Sequence, residues 1–281
     1  GVQASTCTAS GSYSTAMGDG TTASGDYSTS MGRSTAASAL YSTAMGRSTA
    51  ASALYSTAMG YGTDASGYFS TAMGSSTTAS ALYSTAMGDG TIASGSRSTA
   101  MGSYTTASDY ASLSIGRYNS VNSTVTAGGS AASFDTDNAA FVIGNGTGSS
   151  TKSDAFVVYF NGNATLSGDL TINSDARLKD NIQPLGSTLN KLHQIEGKTY
   201  SFKKDEEHTP KIGVLAQEVQ AVFPELVTEG GDGILSVNYQ GLVPVLINAI
   251  NEQDAKIAAL EEMVRFLAVQ QSQTTSTVAA N

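Results

Sequence analysis

The side chains that could bind a metal or act as acids and bases are few and far apart. His193 and His208 are the only histidines, and neither has Cys, Asp or Glu beside it at a ligand spacing that repeats. The single Cys7 cannot form an internal disulfide. Glu is absent before Glu196, and the Asp residues of the repeats lie mostly at predicted turns, so the sequence offers no carboxylate pair of the kind that a glycosidase needs. These residues predict no metal site, no cofactor and no glycosidase.

Two aspartates occupy the same position of a repeated motif and raise the question of calcium. Asp19 and Asp89 each lie two residues after a Met, but Arg33 and Arg47 occupy the equivalent position in other repeats. A calcium roll needs an oxygen ligand in every turn. The mixture of charges therefore indicates a solvated turn.

Ser174 and Lys179 lie in the stretch "NSDARLKDNI", where the composition changes abruptly. Taken alone, Ser174 has the place of a helix N-cap, with Asp175 complementing the helix dipole. Lys179 then reads as a solvated surface charge. A catalytic interpretation of this pair needs further support.

Most of the N-terminal half is one motif repeated every 14 residues without insertion. A fixed short period is typical of a solenoid, whose units stack because none buries its apolar face alone. Each repeat carries a Met followed by Gly, and Ile115 takes the next such position. The Met anchors are Met17, Met31, Met45, Met59, Met73, Met87 and Met101.

Each repeat contains two short extended segments. The sequence "YSTAMG" places Tyr13, Thr15 and Met17 on one face of a strand, and Gly18 is expected to end it. A second piece, "TTASG", is followed by a corner that returns the chain to the next repeat. The pattern predicts one coil of a narrow parallel β-solenoid, with the Met stripe filling its core.

The repeats resemble the head repeats of trimeric autotransporter adhesins (YadA-like), whose "S-V-A-I-G" coils have the same Gly. Here Thr stands for the usual Val and Met for the usual Ile, over roughly residues 10 to 120. The resemblance implies a left-handed parallel β-roll in which three chains pack side by side. It does not identify a binding target.

Two further regions follow the predicted head repeats of residues 1–120. In residues 121–172 the period weakens, although Ile143 lies 28 residues after Ile115, and an Asn-Gly corner at Asn161 and Gly162 favours a short β connector. Residues 173–281 form a separate predicted domain. Its stretch "KIGVLAQEVQAVFPELV" predicts a helix that Pro224 ends, followed by a strand in "GILSVNY".

The last helix is predicted from about Gln240, with a coiled coil over about 240–269. Branched residues at a with Leu at d favour dimers in parallel coiled coils, so a trimer must be argued from elsewhere. Gln253 is interpreted as a register device. The heptad has a positions Val243, Ile250, Ile257 and Val264, and d positions Leu246, Gln253, Leu260 and Leu267.

"SDARLK", "GVLAQEVQAVFPELV" and the last helix resemble the peptidase S74 family, the intramolecular chaperone domain of endosialidases and phage tail fibres. The resemblance covers Asn173 to about Leu267. It implies that the domain trimerises, guides folding of the preceding fibre and cuts itself off. The implied catalytic dyad is Ser174 and Lys179, and the implied scissile bond joins Ser174 to Asp175. Lys serves as the base when burial lowers its pKa enough to leave the amine neutral.

The function expected from these features is a homotrimeric extracellular or cell-surface fibre or adhesin, with a phage tail fibre on the virion as the alternative. Its enzymatic activity is at most a single self-cleavage; a protease acting on other proteins is the second alternative. The net charge of −9 without a basic patch predicts no nucleic-acid partner. No stretch approaches 18 apolar residues, so no membrane span is predicted. The expected partners are two more copies of the chain and an unidentified surface receptor, a glycan or a protein.

Overall fold

The computed structural model describes residues 6–203 and 208–278, with side chains up to residue 271. The chain divides into two compact units, Gly1–Ile172 and Asn173–Asn281.

The first unit is a parallel β-solenoid in which each 14-residue repeat forms one coil with a long and a short strand. Equivalent residues pair across coils, for example Met45 with Met59 and Met59 with Met73. The prediction of two short strands per coil is confirmed. The strands are β1 (Thr8–Ala9), β2 (Thr15–Asp19), β3 (Thr22–Ala23), β4 (Thr29–Arg33), β5 (Ala36–Ala37), β6 (Thr43–Arg47), β7 (Ala50–Ala51), β8 (Thr57–Tyr61), β9 (Asp64–Ala65), β10 (Thr71–Ser75), β11 (Thr78–Ala79), β12 (Thr85–Asp89), β13 (Ile92–Ala93), β14 (Thr99–Ser103), β15 (Thr106–Ala107) and β16 (Leu113–Arg117).

The interior of the coil is filled by small residues. Ala72 in a long strand and Ala79 in the short strand after it are both fully buried, and their equivalents form one continuous cluster. The prediction that the Met stripe fills this core is wrong, because Met17 is 55% exposed and Met59 and Met101 are also exposed. Side chains alternate along a strand, and here the Ala before each Met points inward. So narrow a coil has room for Ala, Ser and Thr only.

A column of buried Thr hydroxyls runs through the same interior. Ser30 and Thr35 share a hydrogen bond of 2.6 Å between their hydroxyls. In the other coils of β2 to β14, Ala takes the place of Ser30, and the equivalent hydroxyls, such as that of Thr77, have no partner among the described residues. A buried hydroxyl without a hydrogen bond lowers stability. The unpaired Thr hydroxyls therefore destabilise the solenoid, and Ser30 removes this penalty in its own coil.

The Tyr of each repeat lies outside the long strand, in a left-handed turn before it. Tyr41 has a φ of 56° and Tyr55 a φ of 57°, so the expected extended conformation at this position is wrong. The rings of Tyr13, Tyr27, Tyr41, Tyr55, Phe69 and Tyr83 stack with centroids 4.9 to 5.1 Å apart. Each such stack contributes about 0.5–1.5 kcal/mol, which offsets the roughly 1–2 kcal/mol cost of left-handed backbone. The long strand also continues one residue beyond its Gly instead of ending there.

The sheet of short strands ends at β15. Side chains there make the backbone hydrogen bonds that the strand of a further coil would make. The Asn119 amide accepts from the backbone N–H of Thr106 (2.7 Å) and donates to its carbonyl (2.9 Å), as a neighbouring strand would. The buried Asp109 carboxylate accepts from the backbone N–H groups of Thr126 and Ala139, both at 2.7 Å. These contacts close the solenoid with a sequence that occurs in no repeat.

The sheet of long strands continues through the connector. Strand β17 (Ala139–Asn145) pairs with β16 in parallel and sets Ile143 opposite Ile115, as the spacing predicted. Strands β18 (Asp154–Tyr159) and β19 (Ala164–Leu166) then add in antiparallel order, with Gly162 at the corner between them.

The second unit is small and mixed. It contains α1 (Leu189–Leu192), β20 (Lys198–Tyr200) paired with β21 (Lys211–Gly213), α2 (Ala216–Val222), β22 (Val227–Glu229) paired with β23 (Leu235–Val237), and the long α3 (Leu242–Val278). Its core is built around Val219, Phe223 and Val245. The predicted helix, the strand in "GILSVNY" and the long last helix are all present.

Helix α3 presents two different faces. Val245 and Ala249 are buried against the rest of the unit. All eight residues of the predicted heptad are exposed in the single chain. The helix therefore uses one face for the domain core and leaves the heptad open.

Candidate functional site

A short turn brings Ser174 and Lys179 together. Asp175 caps a 3-10 turn, Ala176–Leu178, by accepting from the backbone N–H of Arg177 (2.9 Å), and the N–H of Lys179 closes the turn on the Ala176 carbonyl (3.1 Å). The Lys179 Nζ then lies 2.7 Å from the Ser174 Oγ and donates to it. The two groups are within the distance over which a base takes the proton of a nucleophile.

The structure assigns the cap to Asp175, so the interpretation of Ser174 as N-cap is wrong. Because the Asp175 carboxylate accepts the backbone N–H of Arg177 in this turn, the Ser174 hydroxyl is available to accept from Lys179. The element that follows is also a single 3-10 turn instead of a longer helix.

Arg177 is a site residue that the sequence interpretation missed. Its Nε lies 3.1 Å from both carboxylate oxygens of Asp175, and its Nη2 lies 2.6 Å from Oδ2. The Arg177 side chain, followed by the backbone N–H, holds the pKa of Asp175 below its ordinary value. No apolar pattern in the sequence marked this exposed ion pair. The ion pair holds the side chain of Asp175, the residue that follows the implied scissile bond.

A second anchor holds the chain that follows the turn. The Glu252 carboxylate on α3 accepts from the backbone N–H of Thr188 (2.6 Å) and the hydroxyl of Ser187 (2.8 Å). Asn248 donates to the Gly186 carbonyl (2.6 Å). The N–H of Thr188, first among these donors, lowers the pKa of Glu252. The segment before α1 is thereby fixed to α3.

The dyad is fully open in the single chain. Ser174, Lys179 and every other residue from 173 to 187 are exposed. Desolvation, which would favour a neutral lysine amine, is therefore not supplied by the chain alone.

The other candidate residues stay apart. His193 follows the last residue of α1, and His208 lies in left-handed backbone. Asp19 is exposed at a strand end, 3.6 Å from the Arg33 guanidinium of the next coil. Within the described ranges, no three His, Cys, Asp or Glu side chains are placed to hold a metal ion. No helix in the described part of the chain has the length and apolar character to span a membrane.

Two family models match the chain. The model described as chaperone of endosialidase (peptidase S74) matches residues 174–228 and so begins at Ser174. The YadA head domain repeat matches the solenoid over residues 9–35, 37–63, 65–91 and 93–119.

Similar proteins include phage tail fibre proteins. The long tail fiber protein Gp37 of Escherichia phage AR1 is 39% identical over 97 residues, which are 32% of this chain and 9% of that protein. Gp37 of Salmonella phage S16 is 32% identical over 122 residues, 38% of this chain and 16% of that protein. The probable tail fiber protein of Escherichia phage Phieco32 is 34% identical over 94 residues, 31% of this chain and 13% of that protein. The chain thus spans only a small part of these relatives.

The solenoid therefore matches the YadA head domain repeat, and residues 174–228 of the second unit match the chaperone of endosialidase.

Proposed function

We propose that the chain forms part of a homotrimeric virion tail fibre whose C-terminal domain is an intramolecular chaperone that releases itself through Ser174 and Lys179. The tail fibre relatives favour the virion over a cell surface. The observation that carries the proposal is the joining of a repetitive solenoid to a chaperone domain with an open heptad in one chain.

The repeats create a problem that such a domain solves. Three solenoids shifted by one coil lose the contacts of that coil alone, because equivalent residues recur every 14 positions. The free-energy gap between correct and shifted assemblies is therefore small. A domain that trimerises first fixes the register and raises the effective concentration of the three solenoids.

The single chain has apolar surface for such an assembly in both units. The Met stripe of the long strands is exposed or half-buried, and the heptad of α3 is exposed. Burial of these faces between chains supplies about 25 cal/mol per Å² of apolar area. The heptad on its own is compatible with two or three chains, so the trimer rests on the likeness of the solenoid to the head repeats.

The chemistry of release is acyl transfer with Lys179 as the base. A neutral Lys179 amine takes the proton of the Ser174 hydroxyl, whose oxygen attacks the carbonyl carbon of a Ser174–Asp175 bond in the assembly. The carbon–nitrogen bond breaks, and the lysine ammonium returns the proton to the Asp175 nitrogen. Water then hydrolyses the acyl ester and frees the Ser174 hydroxyl. Arg177 holds the Asp175 carboxylate, and hence the leaving side of the bond.

Mass spectrometry of the intact protein, under native and denaturing conditions, tests trimer and cleavage together. We expect a trimer and a C-terminal fragment of residues 175–281 from the wild type. Ser174→Ala and Lys179→Ala should stay whole yet form trimers, while the control Ser236→Ala, a change at an exposed strand position, should be cut normally. A fragment that persists in Ser174→Ala would refute self-cleavage by this dyad.

The chaperone role has a separate test. A chain ending at Asn173 should aggregate or form misregistered assemblies when folded without the C-terminal domain. Soluble, homogeneous trimers from that chain would contradict the role. Failure of the wild type to cut unrelated proteins is expected, since the dyad acts on its own assembly.

A further inference from the structure

The Ser174 hydroxyl cannot readily reach the carbonyl of its own residue. Its Oγ and the carbonyl carbon are joined through Cβ and Cα alone, so attack would close a small, strained ring that misaligns the oxygen with the carbonyl. A nucleophile needs a near-attack geometry with the reacting orbitals aligned. The bond after Ser174 is therefore the wrong target for the Ser174 of the same chain.

We infer that, in the proposed trimer, the Ser174/Lys179 dyad of each chain cuts the Ser174–Asp175 bond of a neighbouring chain. This inference rests on the proposed function, because it takes the scissile bond and the assembly from it. The site is then incomplete in one chain and needs a second copy to supply the substrate.

Three features of the turn fit attack between chains. The dyad is formed within one chain, with Lys179 Nζ 2.7 Å from Ser174 Oγ, so each chain carries its own nucleophile and base. Both side chains are exposed and open to another chain. The Asp175 carboxylate is held by Arg177, so the bond presented to a neighbour lies in an ordered turn.

The same arrangement makes cleavage depend on assembly. Contact with a neighbouring turn would exclude water from the exposed dyad while it delivers the substrate carbonyl. The atoms balance as in the release chemistry above: the attacking chain forms the ester with the neighbour's residue 174 acyl group, its Lys179 protonates the leaving Asp175 nitrogen, and one water completes hydrolysis. An unassembled chain is not cut.

Mixed trimers of full-length chains test the inference. Wild-type chains carrying an N-terminal tag are folded together with untagged Ser174→Ala chains, and trimers with one mutant chain are isolated and analysed by intact mass. Attack between chains predicts that the mutant chain is cut after residue 174, while half of the wild-type chains stay whole because their attacker lacks the hydroxyl. Attack within a chain predicts the reverse: all wild-type chains are cut and the mutant stays intact.

Two further samples complete the design. Trimers mixed from Ser174→Ala and Lys179→Ala chains should show no cleavage, because neither chain holds a complete dyad; cleavage there would overturn the pairing of the two residues within one chain. A C-terminal fragment that begins with Ser174 would overturn attack between chains, since the bond before Ser174 is reachable in the same chain through a less strained ring. Wild-type trimers that stay whole would refute both this inference and the proposed release.

Discussion

The stacked glycines of the long strands should be the positions at which the solenoid is least tolerant of any side chain. Gly60 has a φ of 123°, and a Cβ built on it would overlap the carbonyl oxygen of Gly74 in the next coil. Gly62 differs, with a φ of 61° and 3.8 Å of space to the nearest atom. Gly60→Ser and Gly62→Ser thus form a matched pair two residues apart.

The expected magnitudes follow from this geometry. At position 60, backbone strain of about 1–3 kcal/mol adds to about 1–3 kcal/mol for displaced strand hydrogen bonds, giving roughly 2–6 kcal/mol per chain. At position 62, the roughly 1–2 kcal/mol cost of left-handed backbone is offset by about 0.4–1 kcal/mol from a less flexible unfolded chain. Other coils already have Ser at this position, with φ of 53° to 55° at Ser34, Ser48 and Ser76.

Thermal unfolding of the full chain, followed by circular dichroism, separates the two variants. For 150–250 residues, each kcal/mol lowers Tm by roughly 2–4 °C, so Gly60→Ser should melt on the order of 10 °C below wild type. Gly62→Ser should stay within a few degrees of wild type. Equal melting temperatures for the two variants would refute the argument from close backbone stacking.

Three other changes probe the interior, the anchor and the heptad. Ala72→Ser should give Thr77 the hydroxyl partner that one coil already has, raising stability by about 0.5–1.5 kcal/mol in urea unfolding; no gain, or an equal gain in a Thr77→Val background, would contradict this. Glu252→Gln should destabilise the C-terminal domain at pH 7. Because the folded pKa of Glu252 lies below its usual value of 4.5, its contribution is present above that value and is lost as the pH falls through the folded pKa, so urea unfolding at pH 3 should show a smaller difference from wild type. Leu260→Ala should weaken the oligomer by about 2–5 kcal/mol per chain in sedimentation equilibrium, whereas Glu262→Ala, a little over half a turn from the d position and so on the opposite face of the helix, should change it little.

Periodicity predicted the architecture because register in a solenoid follows from sequence spacing. The 14-residue period defined every strand pair among β1 to β16, and Ile143 lay opposite Ile115 although a loop replaces one coil between them. Periodicity did not show which face points inward. Met is more apolar than Ala, yet the interior of the coil is so narrow that only the smaller residue fits. The width of the interior is set by the folded coil and cannot be read from the spacing of residues.

The site was predictable only in part, because several of its contacts leave no periodic pattern in the sequence. Ser174 and Lys179 were singled out by resemblance, and their dyad role remains a prediction. Asp175 was named only beside the scissile bond and the helix dipole, and its partner Arg177 was not distinguished from other charges, because an exposed ion pair has no apolar pattern to mark it. The left-handed Tyr turns were missed likewise, since Tyr favours strands and the stack that stabilises the turn joins residues of different coils.

The end of the solenoid changes the register problem that the repeats create. A chain shifted by one coil keeps its repeat contacts, but it sets the closing segment, with Asn119 and Asp109, beside an ordinary coil of its neighbours. That segment follows no repeat and is built from buried polar groups whose partners are all specific. These hydrogen bonds lie within one chain, so a shifted neighbour leaves them intact and changes only the surface that the closing segment meets. In the proposed trimer, the end of the solenoid is therefore the part that differs most between correct and shifted arrangements, and a domain that assembles first would set the register before the identical repeats associate.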